Sequence, residues 1–136
     1  MDRIVPVFHS LSKNLRKIHK KSSVEISVVQ SSIMYEIGAL SKPSMQAVAE
    51  AVGMDITTFS RQIGTLEKKR LVVKTPYEGD RRIYILSLTK EGEQVVESIN
   101  ALISAEMENV LASMNDFERE TVVRSMHALD KKLSED

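Results

Sequence analysis

Cysteine is absent from the 136 residues, which excludes disulfide frameworks, thiolate redox switches, a thiol-based peroxide response and Cys-ligated zinc together. A glycine-rich phosphate loop, a nucleophile elbow and a metalloprotease helix motif are missing too. No enzyme is expected, and no cofactor. Histidine is scarce: His9, His19 and His127 are the three in the chain. His9 and His19 stand ten apart in one helical pattern, on different faces. Surface or capping roles fit these histidines better than ligation, so no metal site is expected. No apolar run is long enough to cross a bilayer, and the opening Met1-Asp2-Arg3-Ile4 lacks the basic, apolar and small-residue order of a secretion signal. The expectation is a cytoplasmic protein with no membrane partner.

Net charge is zero as well, yet it divides unevenly along the chain. Residues 1–24 carry six Lys/Arg against one acid, and residues 25–54 one against three. Residues 55–90 carry eight against four, and residues 91–136 four against eleven. A chain polarised in this way can present a basic face to an anion while its acidic end points away. With 42% hydrophobic residues the chain suits one domain with a real core, and the seven methionines read as core filler.

The stretch from Met45 to Gly92 organises the rest. Before it, Ile4, Phe8, Leu11, Leu15 and Ile18 recur at helical steps, with Pro6 tolerable in the first turn and Lys13, Arg16, Lys17, Lys20 and Lys21 on the other side. A second helical pattern runs from about Ile26 to Leu40, with Val29, Ile33, Ile37 and Leu40 as its inner face. Pro43 interrupts the chain. Ser44 can cap a short helix, Met45 to Val52, which Gly53 ends. A further helix from Asp55 or Ile56 to about Arg70 turns Phe59, Ile63 and Leu66 inward. Short helix, glycine turn and second helix make a helix-turn-helix pattern.

On that second helix, Thr57, Thr58, Arg61, Gln62, Thr65 and Lys68 are placed on the half opposite the apolar stripe, and that half holds no carboxylate. These side chains can hydrogen-bond base edges and phosphates; with Ser60 beside them and Ser44 at the preceding helix start, they are the candidate DNA contacts. Leu71 to Thr75 and Ile83 to Leu88 read as the strands of a β-hairpin around Glu78-Gly79-Asp80. Its loop carries Arg81 and Arg82, cations suited to a narrow minor groove, with Asp80 placed to pair with one of them and hold the loop in shape.

Gly53, the run Thr58-Phe59-Ser60-Arg61-Gln62-Ile63, the run Leu66-Glu67-Lys68-Lys69-Arg70-Leu71-Val72, the wing Asp80-Arg81-Arg82 and the exit Leu88-Thr89-Lys90-Glu91-Gly92 together resemble the MarR family of bacterial transcriptional regulators. The resemblance extends over the whole chain in length and element order. It implies a winged helix-turn-helix, dimeric through its terminal helices, that binds pseudo-palindromic operators and is usually relieved by a ligand or an oxidant. It also implies Thr57, Thr58, Arg61 and Gln62 in the major groove, and Arg81 or Arg82 in the minor groove. One position departs from the pattern: the family commonly has glycine where this chain has Arg70. If that residue needs positive φ, arginine costs about 1 kcal/mol there.

After the wing, a stripe from Val95 to Met114 marks a long helix of about 25 residues, roughly 37 Å. Asn115 and Glu118 have capping-box spacing for a last helix that buries Val122, Val123, Met126, Leu129 and Leu133. Stripes that overhang one domain call for a partner, so the first and last helices are expected to join two copies. The expected fold is mainly α, a winged helix-turn-helix with helical dimerisation extensions, about six helices and a wing sheet of two or three strands. The expected single domain, 1–136, divides into amino-terminal helices (1–40), a DNA-binding region (41–90) and carboxyl-terminal dimerisation helices (91–136). The expected function is a homodimeric regulator, a repressor of transcription, on double-stranded operator DNA, relieved by a small-molecule effector. The alternative is a winged-helix module for protein contacts or non-specific nucleic-acid association.

Overall fold

Five of the helices begin on a side chain that accepts one of the backbone N–H groups a helix start leaves unpaired. Ser27 accepts from Gln30, Ser44 from Ala47, Asp55 from Thr58, Thr89 from Gly92 and Asn115 from Glu118. The computed structural model describes residues 2–135, so Met1 and Asp136, the ends of the expected 1–136 unit, lie outside the described residues. The elements are α1 (Ile4–Lys21), α2 (Val28–Ala39), α3 (Met45–Ala51), α4 (Ile56–Lys68), β1 (Val72–Tyr77), β2 (Asp80–Leu88), α5 (Lys90–Ala112) and α6 (Asp116–Leu133). This is the expected mainly helical winged architecture. Ser27 and Asn115 form full capping boxes, with Gln30 and Glu118 reaching back to the cap backbone.

β1 and β2 pair antiparallel, with Val72 opposite Leu88 and Thr75 opposite Ile85. The hairpin turns on Glu78 and Gly79 alone, so Arg81 and Arg82 belong to strand β2 rather than to a loop. A bridge between Ser44 and Ile85 supplies the trace of a third strand, and the Leu86 N–H donates to the Pro43 carbonyl at 2.8 Å.

The core lies where α2, α3, α4, the base of the wing and the start of α5 meet. Ile33, Met34, Val48, Phe59, Ile63, Leu66 and Leu86 are fully buried there. Each such side chain contributes about 1.5–3 kcal/mol, so the apolar stripe of α4 fixes which of its faces looks out. The inner face of α2 differs from expectation. Val29 is 48% exposed and Leu40 39%, while Gln30 and Met34 are buried beside Ile33 and Ile37. The helix starts at Val28, and its packing against α3, α5 and β2 turns the buried face toward Met34.

The turns on either side of α4 both use positive φ. Gly53 has φ 68° and ends α3 without a Cβ clash. Arg70 has φ 60° and ends α4, its N–H donating to Glu67 O at 2.9 Å and the Leu71 N–H to Leu66 O at 3.0 Å. The arginine therefore occupies a left-handed position. Arg70→Gly is expected to raise the unfolding free energy by about 1 kcal/mol, seen as a higher urea midpoint at unchanged slope. A lower midpoint would mean that the exposed Arg70 side chain contributes more than its backbone costs.

Outside the core the helices are half-clad. Ile4, Val5, Phe8, Leu11 and Leu15 of α1 are exposed, and so are Phe117, Met126, Leu129 and Leu133 of α6. Among the described residues the last helix thus leaves its apolar stripe largely exposed, rather than buried as expected. Lys21 Nζ donates to Glu106 Oε1 at 2.7 Å, linking the end of α1 to α5. Among the described residues, no helix is long and apolar enough to cross a membrane.

Candidate nucleic-acid interface

Because Phe59, Ile63 and Leu66 point into the core, Thr57, Ser60, Arg61, Thr65 and Lys68 are exposed on the opposite side of α4. Not all of their polar groups are free. Asp55 caps the helix, its Oδ1 accepting the Thr58 N–H and its Oδ2 the Thr58 hydroxyl, each at 2.9 Å. The Thr58 backbone and side-chain donors hold the Asp55 carboxyl below the ordinary carboxylate value. Thr65 Oγ1 donates back to Arg61 O at 3.2 Å. Thr58 and Thr65 therefore offer methyl groups and acceptor lone pairs outward, while Thr57, Ser60, Arg61 and Lys68 keep their donors.

Gln62 is not on this face. At 100° per residue it stands next to Leu66 rather than opposite it; it is half-buried, and its Oε1 accepts from Gln30 Nε2 at 3.1 Å. Ser44 is half-buried too, its Oγ occupied by the Ala47 N–H at 3.1 Å. The outer face of α4 is thus built around Arg61, which has no ion pair among the described residues.

In the wing, Asp80 binds Arg82 three times. Its Oδ1 accepts the Arg82 backbone N–H at 3.0 Å and Nε at 3.1 Å, and its Oδ2 accepts Nη2 at 3.0 Å. The pair shapes the start of β2. Strand alternation puts Arg81 on the other face, exposed and with no acidic partner among the described residues. A cation that sequence reading passed over is Lys74, whose Nζ lies 4.7 Å from the centre of the Tyr84 ring; strand alternation carried the signal for it. The wing therefore presents Lys74, Arg81 and the solvent side of Arg82.

The Asp80 carboxyl is held down by the Arg82 side chain first and its backbone N–H second. A lowered folded pKa gives stability that is present above the unfolded value and is lost as pH falls through the folded one. The gap in urea midpoint between parent and Asp80→Asn should therefore be small, steady near neutral pH, and shrink as pH falls below about 4. A gap that widened in acid would contradict the pairing.

Between α1, α2 and α5 lies an open hollow of about 770 Å³, lined by Leu15, Ile18, His19, Tyr35, Glu36 and Ile103 among others. Its size is that of a small-molecule site. Among the described residues no cluster of three or more His, Asp or Glu is placed to hold a metal.

Comparison with known proteins agrees with this geometry. A MarR family model matches residues 26–84, from the buried Ile26 to Tyr84 in the wing. A protein provisionally assigned as the transcriptional regulatory protein for the hcr operon of Thauera aromatica is 29% identical over 92 residues, 68% of this chain and 55% of that one. The HTH-type transcriptional regulator YwaE of Bacillus subtilis, itself uncharacterised, is 32% identical over 78 residues, 57% of this chain and 46% of its own. The chain thus spans about half the length of these curated relatives. In fold, Streptococcus pneumoniae FabT, solved in complex with DNA, superposes with a TM-score of 0.87 at 22% identity, covering 97% of this chain and 96% of that one. The two curated relatives are named as regulators of transcription, and the segment of this chain that matches the MarR family, residues 26–84, holds its helix-turn-helix and the wing as far as Tyr84.

Proposed function

We propose that the protein is a cytoplasmic, homodimeric repressor that binds pseudo-palindromic double-stranded operator DNA and is released by a small-molecule effector. The observation that carries this reading is the outer face of α4, where Thr57, Ser60, Arg61 and Lys68 stand exposed with no carboxylate among them. An Asp or Glu there would repel phosphate, whereas an arginine fork matches the O6 and N7 acceptors of guanine. Lys74 and Arg81 add cations at the wing, suited to phosphates and the minor groove.

In this reading residues 41–90 form the reading head, and residues 1–40 and 91–136 the handle. The exposed apolar residues of α1 and α6 meet a second copy, and the basic α1 suits the acidic carboxyl-terminal helices. α5, 23 residues and so about 34 Å long, is as long as the turn of B-DNA that separates two half-sites. An effector seated in the hollow beside α1 and α5 would change the spacing of the heads. The test is competition at fixed salt between a selected duplex and its scrambled counterpart, with sedimentation of the complex. Preference for the selected duplex by a factor of at least about 10³ is expected, with two chains per duplex. Equal affinity would favour non-specific association or a protein-contact module instead.

A further inference from the structure

Gln30 is the one buried polar side chain among the described residues, 9% exposed, and both ends of its amide are engaged. Its Oε1 accepts the Ser27 backbone N–H at 3.0 Å, and its Nε2 donates to Gln62 Oε1 at 3.1 Å. The first bond sets the sense of the amide, since only the oxygen can meet an N–H, and the nitrogen must then face α4. Gln62 is in turn obliged to present its own oxygen inward. With the oxygen turned toward Gln30, its NH₂ is the group left to face outward. A glutamine reads adenine with an acceptor and a donor together, and an oxygen turned toward Gln30 is not placed to be half of that pair.

The same junction is tied to α4 a second time. Lys69 Nζ donates to the Glu25 carbonyl, and on the other side His19 Nε2 of α1 donates to the Ile26 carbonyl at 2.9 Å. Gln62 and Lys69 lie about two helical turns apart, roughly 10 Å. Two points separated along a rod fix its direction. The first turn of α2 and the loop before it therefore hold the angle of α4 as well as its place.

We infer that Gln62 is a positioning residue and not a base-reading one: through Gln30 it locks α4 to the α1–α2 junction and sets the angle at which α4 meets DNA. The inference rests on the DNA-binding reading above. His19 and Val28, which line the hollow beside α1, flank this junction.

The test uses the full chain as parent, Gln62→Met, Gln30→Met and the double variant. Each single variant should bind the parent's selected operator about tenfold more weakly, with the double variant no weaker than either. Base preferences in a random duplex pool should match the parent at every position. Loss of preference at one base pair in Gln62→Met, with Gln30→Met binding like the parent, would overturn the inference, as would losses that multiply in the double variant. Should Gln30→Met not fold, the selection with Gln62→Met decides alone, by kept or relaxed preference. Urea unfolding of the same proteins reads the tie without DNA: non-additive midpoint shifts are expected, and strict additivity would overturn it. A parent that selects no sequence would defeat the DNA-binding reading, and the unfolding cycle would still decide whether Gln30 and Gln62 are coupled.

Discussion

Gly92→Ala should lower the unfolding free energy by about 3 kcal/mol or more, at the upper end of overpacking changes. Helix propensity alone gives the opposite sign, since alanine is favoured over glycine within a helix by about 1 kcal/mol. Packing decides. Gly92 is buried in the first turn of α5, and a Cβ there would lie 2.1 Å from the Leu71 carbonyl oxygen, a backbone atom that cannot rotate away. The same place is crowded with polar links. Thr89 N–H donates to Leu71 O at 3.0 Å, Thr89 Oγ1 to Arg70 O at 2.8 Å, and the Gly92 N–H to Thr89 Oγ1 at 2.9 Å. Thr89 and Gly92 thus dock the long helix onto the end of α4 and the start of the wing. A side chain at position 92 would push α5 off this joint, which connects head and handle. Urea unfolding measures the loss; a variant as stable as the parent would mean that α5 does not hold the head in this way.

Arg61→Ala is expected to cost about 1–3 kcal/mol of operator affinity, roughly 5- to 150-fold, and to relax preference at one base pair of each half-site. Arg61 is exposed at the centre of the outer face of α4 and carries no intramolecular ion pair among the described residues. Its fork is therefore available without first breaking a bond. Arg82 differs, because Asp80 already engages its Nε and Nη2. Arg81→Ala, removing the unpaired wing cation, should weaken binding about uniformly across sequences and flatten the salt slope. Arg82→Ala should also weaken binding with little change in discrimination, through loss of the wing's shape as much as of charge. If Arg61→Ala and Arg81→Ala both bound like the parent, the reading surfaces would lie elsewhere.

Much of this was legible in the sequence, and what was not has physical causes. The capped starts at Ser44, Asp55 and Asn115 follow from residue type and spacing, because the rule that governs them is local. The core face of α4 follows from period alone. The glycine expected at position 70 and the arginine found there meet in one observation, a φ of 60°. The inner face of α2 is ambiguous in the sequence because Val29 and Met34 both satisfy a helical period, and only the packing of α3 and α5 chooses between them. Gln62 lies at the border of the polar arc, where a buried partner 32 residues earlier, Gln30, draws it inward, and helical period alone does not show that partner. The wing arginines read as loop residues because Asp80 is a common turn residue, whereas the turn closes within Glu78 and Gly79. As for α6, its stripe is legible as apolar, but among the described residues it stays largely exposed, and period alone does not say what covers a stripe.

The most direct measurement is selection of duplexes from a random pool by the full-length protein at fixed salt, followed by sequencing. The account predicts enrichment of one pseudo-palindrome whose half-sites lie about one helical turn apart, near 34 Å or a small multiple of it. A pool that returns no common sequence, or single half-sites without a symmetric mate, would contradict it.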